Sequence, residues 1–249
     1  MGVILVYDGG FEGLLCALSR SLEEGEAPDD ILPVGAGAQG SLFADQVVVE
    51  ADPECAMRMC SRVCECVSRR ALRKCLYAFL SEEEGREVRI LEYLRLGFQV
   101  GAEVDSHLHR DFVRAVRDMA RRTAHEAHRM RGFLRFRLLD GGMYYAPMEA
   151  RCDVLRLVAP HFARRLEGQD WIIHDLVRGW AALCRGGEPS FVEMPELAVD
   201  LCERERRVQG LWRDYFRAIA VAERRNPRLQ KNLMPERYWR MLVEIPREH

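Results

Sequence analysis

The sequence predicts an α+β protein: amphipathic helices packed with a small antiparallel sheet, centred on a strand-strand-helix-strand-strand unit in the middle of the chain. Three observations carry this expectation. A long segment ending near Met130 repeats its apolar residues about every 3.6 positions. Directly after Gly132 the period drops to two, with Leu134, Phe136 and Leu138 alternating with Arg135 and Arg137. Two turn signals, Asp140-Gly141-Gly142 and Asp175 to Arg178, then separate short apolar runs as hairpins do.

Taken in order, Val3 to Tyr7 reads as a first strand, and Gly9-Gly10 leads into a helix from Phe11 to about Glu24. Residues 25–41, rich in Gly, Pro, Asp and Ala, read as a loop. Val47-Val48-Val49 is expected to be a short buried strand. Asp52-Pro53-Glu54 is a helix start, with a capping acid and a proline in the first turn. That helix is expected to reach Leu80 on the apolar positions Met59, Val63, Val67, Leu72, Leu76 and Phe79.

The next helix should begin near Asp105 or Ser106. At 100° per residue it gathers Leu108, Phe112, Val116, Met119, Thr123, Ala127 and Met130 on one face, and Arg110, Arg114, Arg117, Arg121, His125 and His128 on the other. After the first hairpin comes a helix from Asp153 to Leu166, which Pro160 should kink or break. Trp171 to His174 and Gly179 to Cys184 then pair. A long amphipathic helix from Leu197 to Arg225 is closed by Asn226-Pro227, and Pro235 opens a last short helix in which Trp239 belongs to the core. The chain reads as one domain over 1–249, with a subdivision into 1–131, 132–190 and 191–249.

Composition narrows the function classes. With 48% hydrophobic and 31% charged residues, the chain is ordinary for a globular protein rather than a disordered one. No apolar run approaches the roughly 20 residues that cross a bilayer, and Val3 to Tyr7 is too short for a signal-peptide core. The expectation is a cytoplasmic protein with no membrane partner. Nine cysteines, an odd number scattered through helical segments, argue for reduced thiols rather than a disulfide framework. Lys74 and Lys231 are the only lysines, so arginine supplies nearly all the positive charge. Its planar fork suits phosphates and guanine edges, although a GC-rich genome produces the same bias. The formal net charge of −2 hides an acidic start and basic stretches at 110–137 and 204–240.

Several motifs carry less than they promise. Gly35-Ala36-Gly37-Ala38-Gln39-Gly40 fits the dinucleotide-loop pattern but lacks a following helix, so a plain loop is expected. Asp8-Gly9-Gly10 is a tight strand-to-helix turn that also places Asp8 and Glu12 at an edge. Cys55, Cys60, Cys64 and Cys66 match no metal-ligand spacing, and no metal or cofactor is expected. His125-Glu126-Ala127-His128 is one residue short of the zinc-protease pattern; histidines three apart share a helix face beside the arginines.

The richest segment is Glu223 to Trp239. Arg224, Arg225, Asn226, Arg228, Gln230, Lys231 and Asn232 crowd a proline-bounded loop suited to phosphates and base edges, with Tyr238 available to stack. A structural corner, with these groups satisfying loop carbonyls, is the plainer alternative.

Together, Tyr7 to Gly13, His128 to Phe136, Ala159 to Arg165, Trp171 to Asp175 and Glu223 to Trp239 resemble a bacterial family of DNA-metabolism or DNA-repair proteins built on a domain of unknown function. Residues 25–45 and the cysteine-rich helix carry little of the likeness. The resemblance implies association with a radical-SAM DNA repair or modification protein, and kinship with domains joined to uracil-DNA-glycosylase-like domains. It implies no reaction and no catalytic residues.

The leading expectation is a DNA-binding protein of repair or modification acting with a radical-SAM partner. Arg114, Arg117, Arg121, Arg131, Arg135 and Arg137 would contact phosphates, and the Arg224 to Asn232 loop would hold the strand. The second is an enzyme acting itself on damaged DNA, with Asp8, His128, His161, Asp175 and Glu223 as candidate acid, base or nucleophile. The third is a protein-interaction scaffold.

Overall fold

The computed structural model describes residues 2–25, 27–35, 45–221, 224 and 226–245. The chain forms two compact units, Met1–Ala124 and His125–His249. Among the described residues no helix is long and apolar enough to cross a membrane.

In the first unit β1 (Val3–Tyr7) is the central strand of a parallel three-stranded sheet, flanked by β2 (Asp30–Pro33) and β3 (Asp45–Val48). Helix α1 (Phe11–Glu24) makes the crossover from β1 to β2, because parallel neighbours cannot be joined by a tight turn. Its bounds are those the sequence gives to within a residue. β2 lies inside the segment expected to be loop. β3 is an edge strand, and Val48 stands exposed rather than buried.

The expected helix 53–80 is two helices, α2 (Pro53–Cys66) and α3 (Arg69–Phe79). Ser68 divides them: its backbone is extended, and its hydroxyl accepts a hydrogen bond from the Ala71 amide at 3.0 Å. Helix α4 (Arg86–Val100), for which the sequence reading had no element, follows with Ile90, Leu91, Tyr93 and Leu94 in the core. A 3₁₀ turn over 101–106 precedes α5 (Asp111–Phe133), so the long helix starts later than expected.

The second unit is built on a five-stranded sheet of order β4-β5-β6-β7-β8: β4 (Arg137–Leu138), β5 (Tyr144–Met148), β6 (Asp170–Asp175), β7 (Trp180–Arg185) and β8 (Ser190–Glu193). The strand-strand-helix-strand-strand unit is present, yet the sheet is mixed. β5 and β6 pair in parallel, Tyr144 opposite Trp171, because α6 (Leu155–Arg165) carries the chain back across the sheet between them. β8 adds a strand, and only Arg137 and Leu138 of the alternating run become β structure. Pro160 sits inside α6 on its exposed side, and the helix runs through it.

Alternation along the strands separates two faces. On one, Ala146, Met148, Trp171, Ile173 and Ala182 pack under Leu155, Val158, Ala159 and Phe162 of α6. On the other lie Tyr145, Ile172 and Ala181.

Helix α7 (Glu203–Ala218) departs most from expectation. It is shorter than 197–225, and none of its residues is buried. Val208, Leu211, Trp212, Tyr215, Phe216 and Ile219, the apolar residues of the amphipathic pattern, are exposed. Asn226 caps α8 (Pro227–Leu233), its Oδ1 accepting from the Leu229 amide at 3.0 Å, and a 3₁₀ turn over Glu236–Met241 follows Pro235. Trp239 is only half-buried and donates from its indole to the Met234 carbonyl.

Candidate nucleic-acid interface

Helix α5 has the two faces its sequence implies. Val116, Met119, Ala120, Thr123, Ala127 and Met130 are buried, while Arg114, Arg117, Arg121, His125 and His128 are exposed. Arg114 pairs with Asp111, and Arg117 and Arg121 each lie 3.7 Å from Asp118. Exposed pairs of this kind contribute little and exchange readily for another anion. These three arginines belong to the first unit.

A denser basic site is built within the second unit, where the end of α5 meets α6. Arg131 Nη2 donates to the Leu157 carbonyl at 3.0 Å, which lays the guanidinium across α6. His161, half-buried on α6, meets Phe162 edge-on at 5.0 Å. Burial, then the charges of Arg131, Arg165 and Arg164, hold its pKa below the ordinary 6.5. His128 stands exposed one turn before Arg131. Among the described residues no carboxylate forms an ion pair with Arg131, Arg164 or Arg165. Cations in the last turn of α6 also suit its dipole. Three uncompensated guanidiniums around one imidazole nevertheless form a site that an anion would stabilise.

The proline-bounded segment does not join this patch. Pro227 and Lys231 of α8 border a cleft of about 1040 Å³ together with Arg137, Tyr145, Trp239 and Arg240. Tyr145 and the cleft lie on the sheet face opposite α6, and no patch residue lines the cleft. Lys231 is paired with Glu236 at 2.6 Å and Arg240 with Glu149 at 3.3 Å. Tyr145 is tied to the buried His174, whose Nε2 lies 2.6 Å from the Met194 carbonyl and whose Nδ1 lies 3.1 Å from the Tyr145 hydroxyl. A carbonyl only accepts, so Nε2 carries the proton and the Tyr145 hydroxyl donates to Nδ1. Burial raises the Tyr145 pKa, partly offset by Arg137.

Other candidates find structural roles. Tyr238 is buried, meets Phe133 at a tilt with ring centroids 5.1 Å apart and donates to Glu126 Oε2 at 2.6 Å, so it is not available to stack on a base. Arg135 is held by Glu244 at 2.9 Å and by the Gly132 carbonyl. Burial works to raise the Glu244 pKa, but the hydrogen bond and charge of Arg135 hold it below its ordinary value. Asn226 is spent as a helix cap. Arg224, Arg228, Gln230 and Asn232 are exposed, whereas Glu223 and Arg225 lie outside the described residues. So do residues 36–40 of the glycine-rich motif.

Asp8 is exposed in the first unit and accepts from the Gly10 amide at 2.9 Å. A Cβ on Gly13 would come within 2.1 Å of its Oδ1, and Gly9 has φ of 89°, so the glycines here shape a turn. Asp175 is fully buried. It accepts from the Val177 amide at 3.1 Å and from Arg178 Nη1 at 2.9 Å, and Arg178 also reaches the Ala150 and Arg151 carbonyls. Among the described residues no hydrogen bond joins any two of His128, His161 and Asp175. Asp175→Ala is expected to lower stability by about 3 kcal/mol, the scale for breaking a buried charge pair. Urea denaturation checks this; an unchanged midpoint would reject the structural role.

One group escaped the sequence reading. Glu126, on the buried face of α5, accepts from the Arg151 amide at 3.0 Å and from Arg237 Nη2 at 2.8 Å, besides Tyr238. The signal was present: an acid between Thr123 and Ala127 on a core-facing stripe needs partners.

The model of DUF4130, a domain of unknown function, matches residues 84–244. The chain belongs to the DUF4130 family. No curated protein and no solved structure matches it. The DUF4130 region holds the α5–α6 patch, the Glu126 network and every residue lining the cleft except Ile245, and it excludes Asp8 and the parallel sheet.

Proposed function

We propose that this DUF4130 protein binds DNA through the patch of His128, Arg131, His161, Arg164 and Arg165, and serves DNA repair or modification beside a radical-SAM partner. The observation that carries DNA binding is the cluster of Arg131, Arg164 and Arg165 about His161 with no carboxylate paired to them. A phosphate backbone supplies the missing charge, and guanidinium forks match its geometry. The role in repair and the partner rest on the family resemblance of five segments. Direct catalysis on damaged DNA is the runner-up; His128 and His161 share the patch, while Asp175 is committed to its turn.

Fluorescence anisotropy with a labelled oligonucleotide tests the reading. Three phosphate contacts by arginine predict a slope of log K against log salt of about −3. Absence of binding at low salt overturns it. The pH dependence follows from His161. Free, its pKa lies below 6.5; an adjacent phosphate favours the imidazolium and raises it. Binding therefore takes up a proton, and affinity is expected to rise as pH falls below 6.5. His161→Ala should flatten that rise while leaving the salt slope in place.

A further inference from the structure

Helix α7 carries an exposed apolar arc, which the described residues meet at Trp212 through a hydrogen bond with Glu244. At 100° per residue, Leu211, Tyr215, Val208, Ile219, Trp212 and Phe216 follow one another across about 140° of its circumference. Leu211 is 70% exposed and Tyr215 54%. A helix this short draws its stability from packing such a face, and contiguous exposed apolar patches on soluble domains mark association surfaces. Its N-terminal end is fixed to the sheet. Cys202 donates its amide to the Leu138 carbonyl at 3.2 Å, and Glu205 Oε2 accepts from the Leu138 amide at 3.1 Å. Glu205 lies on the Trp212–Phe216 side of the arc, which leaves the Leu211–Tyr215 side open.

We infer that α7 pairs antiparallel with α7 of a second copy of this chain about a two-fold axis near Leu211. The charges bordering the open side decide the occupant and its direction. Arg207 and Asp214 flank the arc on one side, seven residues apart. In an antiparallel pair the same flanks meet, so Arg207 of each copy opposes Asp214 of the other, twice by symmetry. A parallel pair would instead bring this flank against the opposite flank of the other copy, so Arg207 and Asp214 would not meet each other. Within one chain Arg207 lies 2.7 Å from Glu203 and Asp214 3.8 Å from Arg217, both exposed i,i+3 or i,i+4 contacts that are easily exchanged. The inference stands apart from DNA binding, since α7 contributes nothing to the α5–α6 patch.

Sedimentation velocity of the full chain over submicromolar to several hundred micromolar concentrations tests it. The expected result is a reversible shift from monomer to dimer. Leu211→Glu with Tyr215→Glu should leave a monomer throughout, with an unchanged circular-dichroism spectrum showing the fold intact. Arg207→Asp alone or Asp214→Arg alone should weaken the dimer at least tenfold. The double exchange R207D/D214R restores opposite charges at both contacts and should recover the dimer. A wild-type chain that stays monomeric overturns the inference, whether or not another protein covers α7. A dimer that the double exchange does not recover overturns the antiparallel pairing.

Discussion

Glu126→Ala is expected to cost about 3 kcal/mol of folding stability. The carboxylate is buried on α5 and accepts three hydrogen bonds that tie this helix to the loop after β5 and to the C-terminal turn. Removing it leaves the Arg237 charge, the Tyr238 hydroxyl and the Arg151 amide without their acceptor. Arg237 is partly exposed, so water compensates some of the loss, which places the value at the low end for a broken buried pair. Glu126→Gln keeps an acceptor and loses the charge, and should cost about half as much. Tyr238→Phe removes one hydrogen bond and should cost about 1 kcal/mol. Burial, then the Glu126 hydrogen bond, push the Tyr238 pKa up to about 12, so its absorbance should not titrate below pH 10. Urea melts read the stabilities. A Glu126→Ala midpoint within error of wild type would mean that the network does not hold the C-terminal segment.

The second large effect concerns binding. Replacing Arg164 and Arg165 together by Glu turns two attractive charges into two repulsive ones beside His161. DNA affinity at low salt is expected to fall about a hundredfold, with the salt slope shortened by about 2. The same change should raise the His161 pKa toward its ordinary value, because two of the three charges depressing it are gone. Acids in the last turn of α6 oppose its dipole, so a loss of roughly 1 kcal/mol in stability accompanies the change. That loss is too small to unfold the chain. Anisotropy and thermal melts on one preparation separate the two effects. Unchanged affinity would remove this patch from the binding site.

What the sequence disclosed, and what it did not, follows from which interactions are local. The two faces of α5 were legible because charge and apolarity alternate at helical spacing over six turns. The break at Ser68 was written in its side chain but hidden by apolar positions that continue the period on both sides. The parallel pairing of β5 with β6 was not legible, because two hairpin-like signals say nothing of how a helix between them routes the chain. In α7 the pattern announced an apolar face without saying what would cover it. In Glu236–Met241 adjacent aromatics take opposite environments, Tyr238 toward Glu126 and Trp239 toward the cleft, and spacing alone could not assign them. At the site, Arg131 was named as a phosphate contact and His128 and His161 as candidate acid or base; the first two are exposed and His161 is half-buried. Their convergence with Arg164 and Arg165 depends on α5 and α6 lying together, a long-range fact. Within the second unit the 224–232 segment lies apart from this patch, since α8 borders the sheet face opposite α6.

The most direct test is ultraviolet cross-linking of the protein to bromouracil-substituted DNA, with the attached peptides identified by mass spectrometry. Cross-links on peptides spanning 128–131 and 161–165 are predicted. Cross-links confined to Tyr145, Trp239 and their neighbours in the cleft, or none at all, would contradict DNA binding at the junction of α5 and α6.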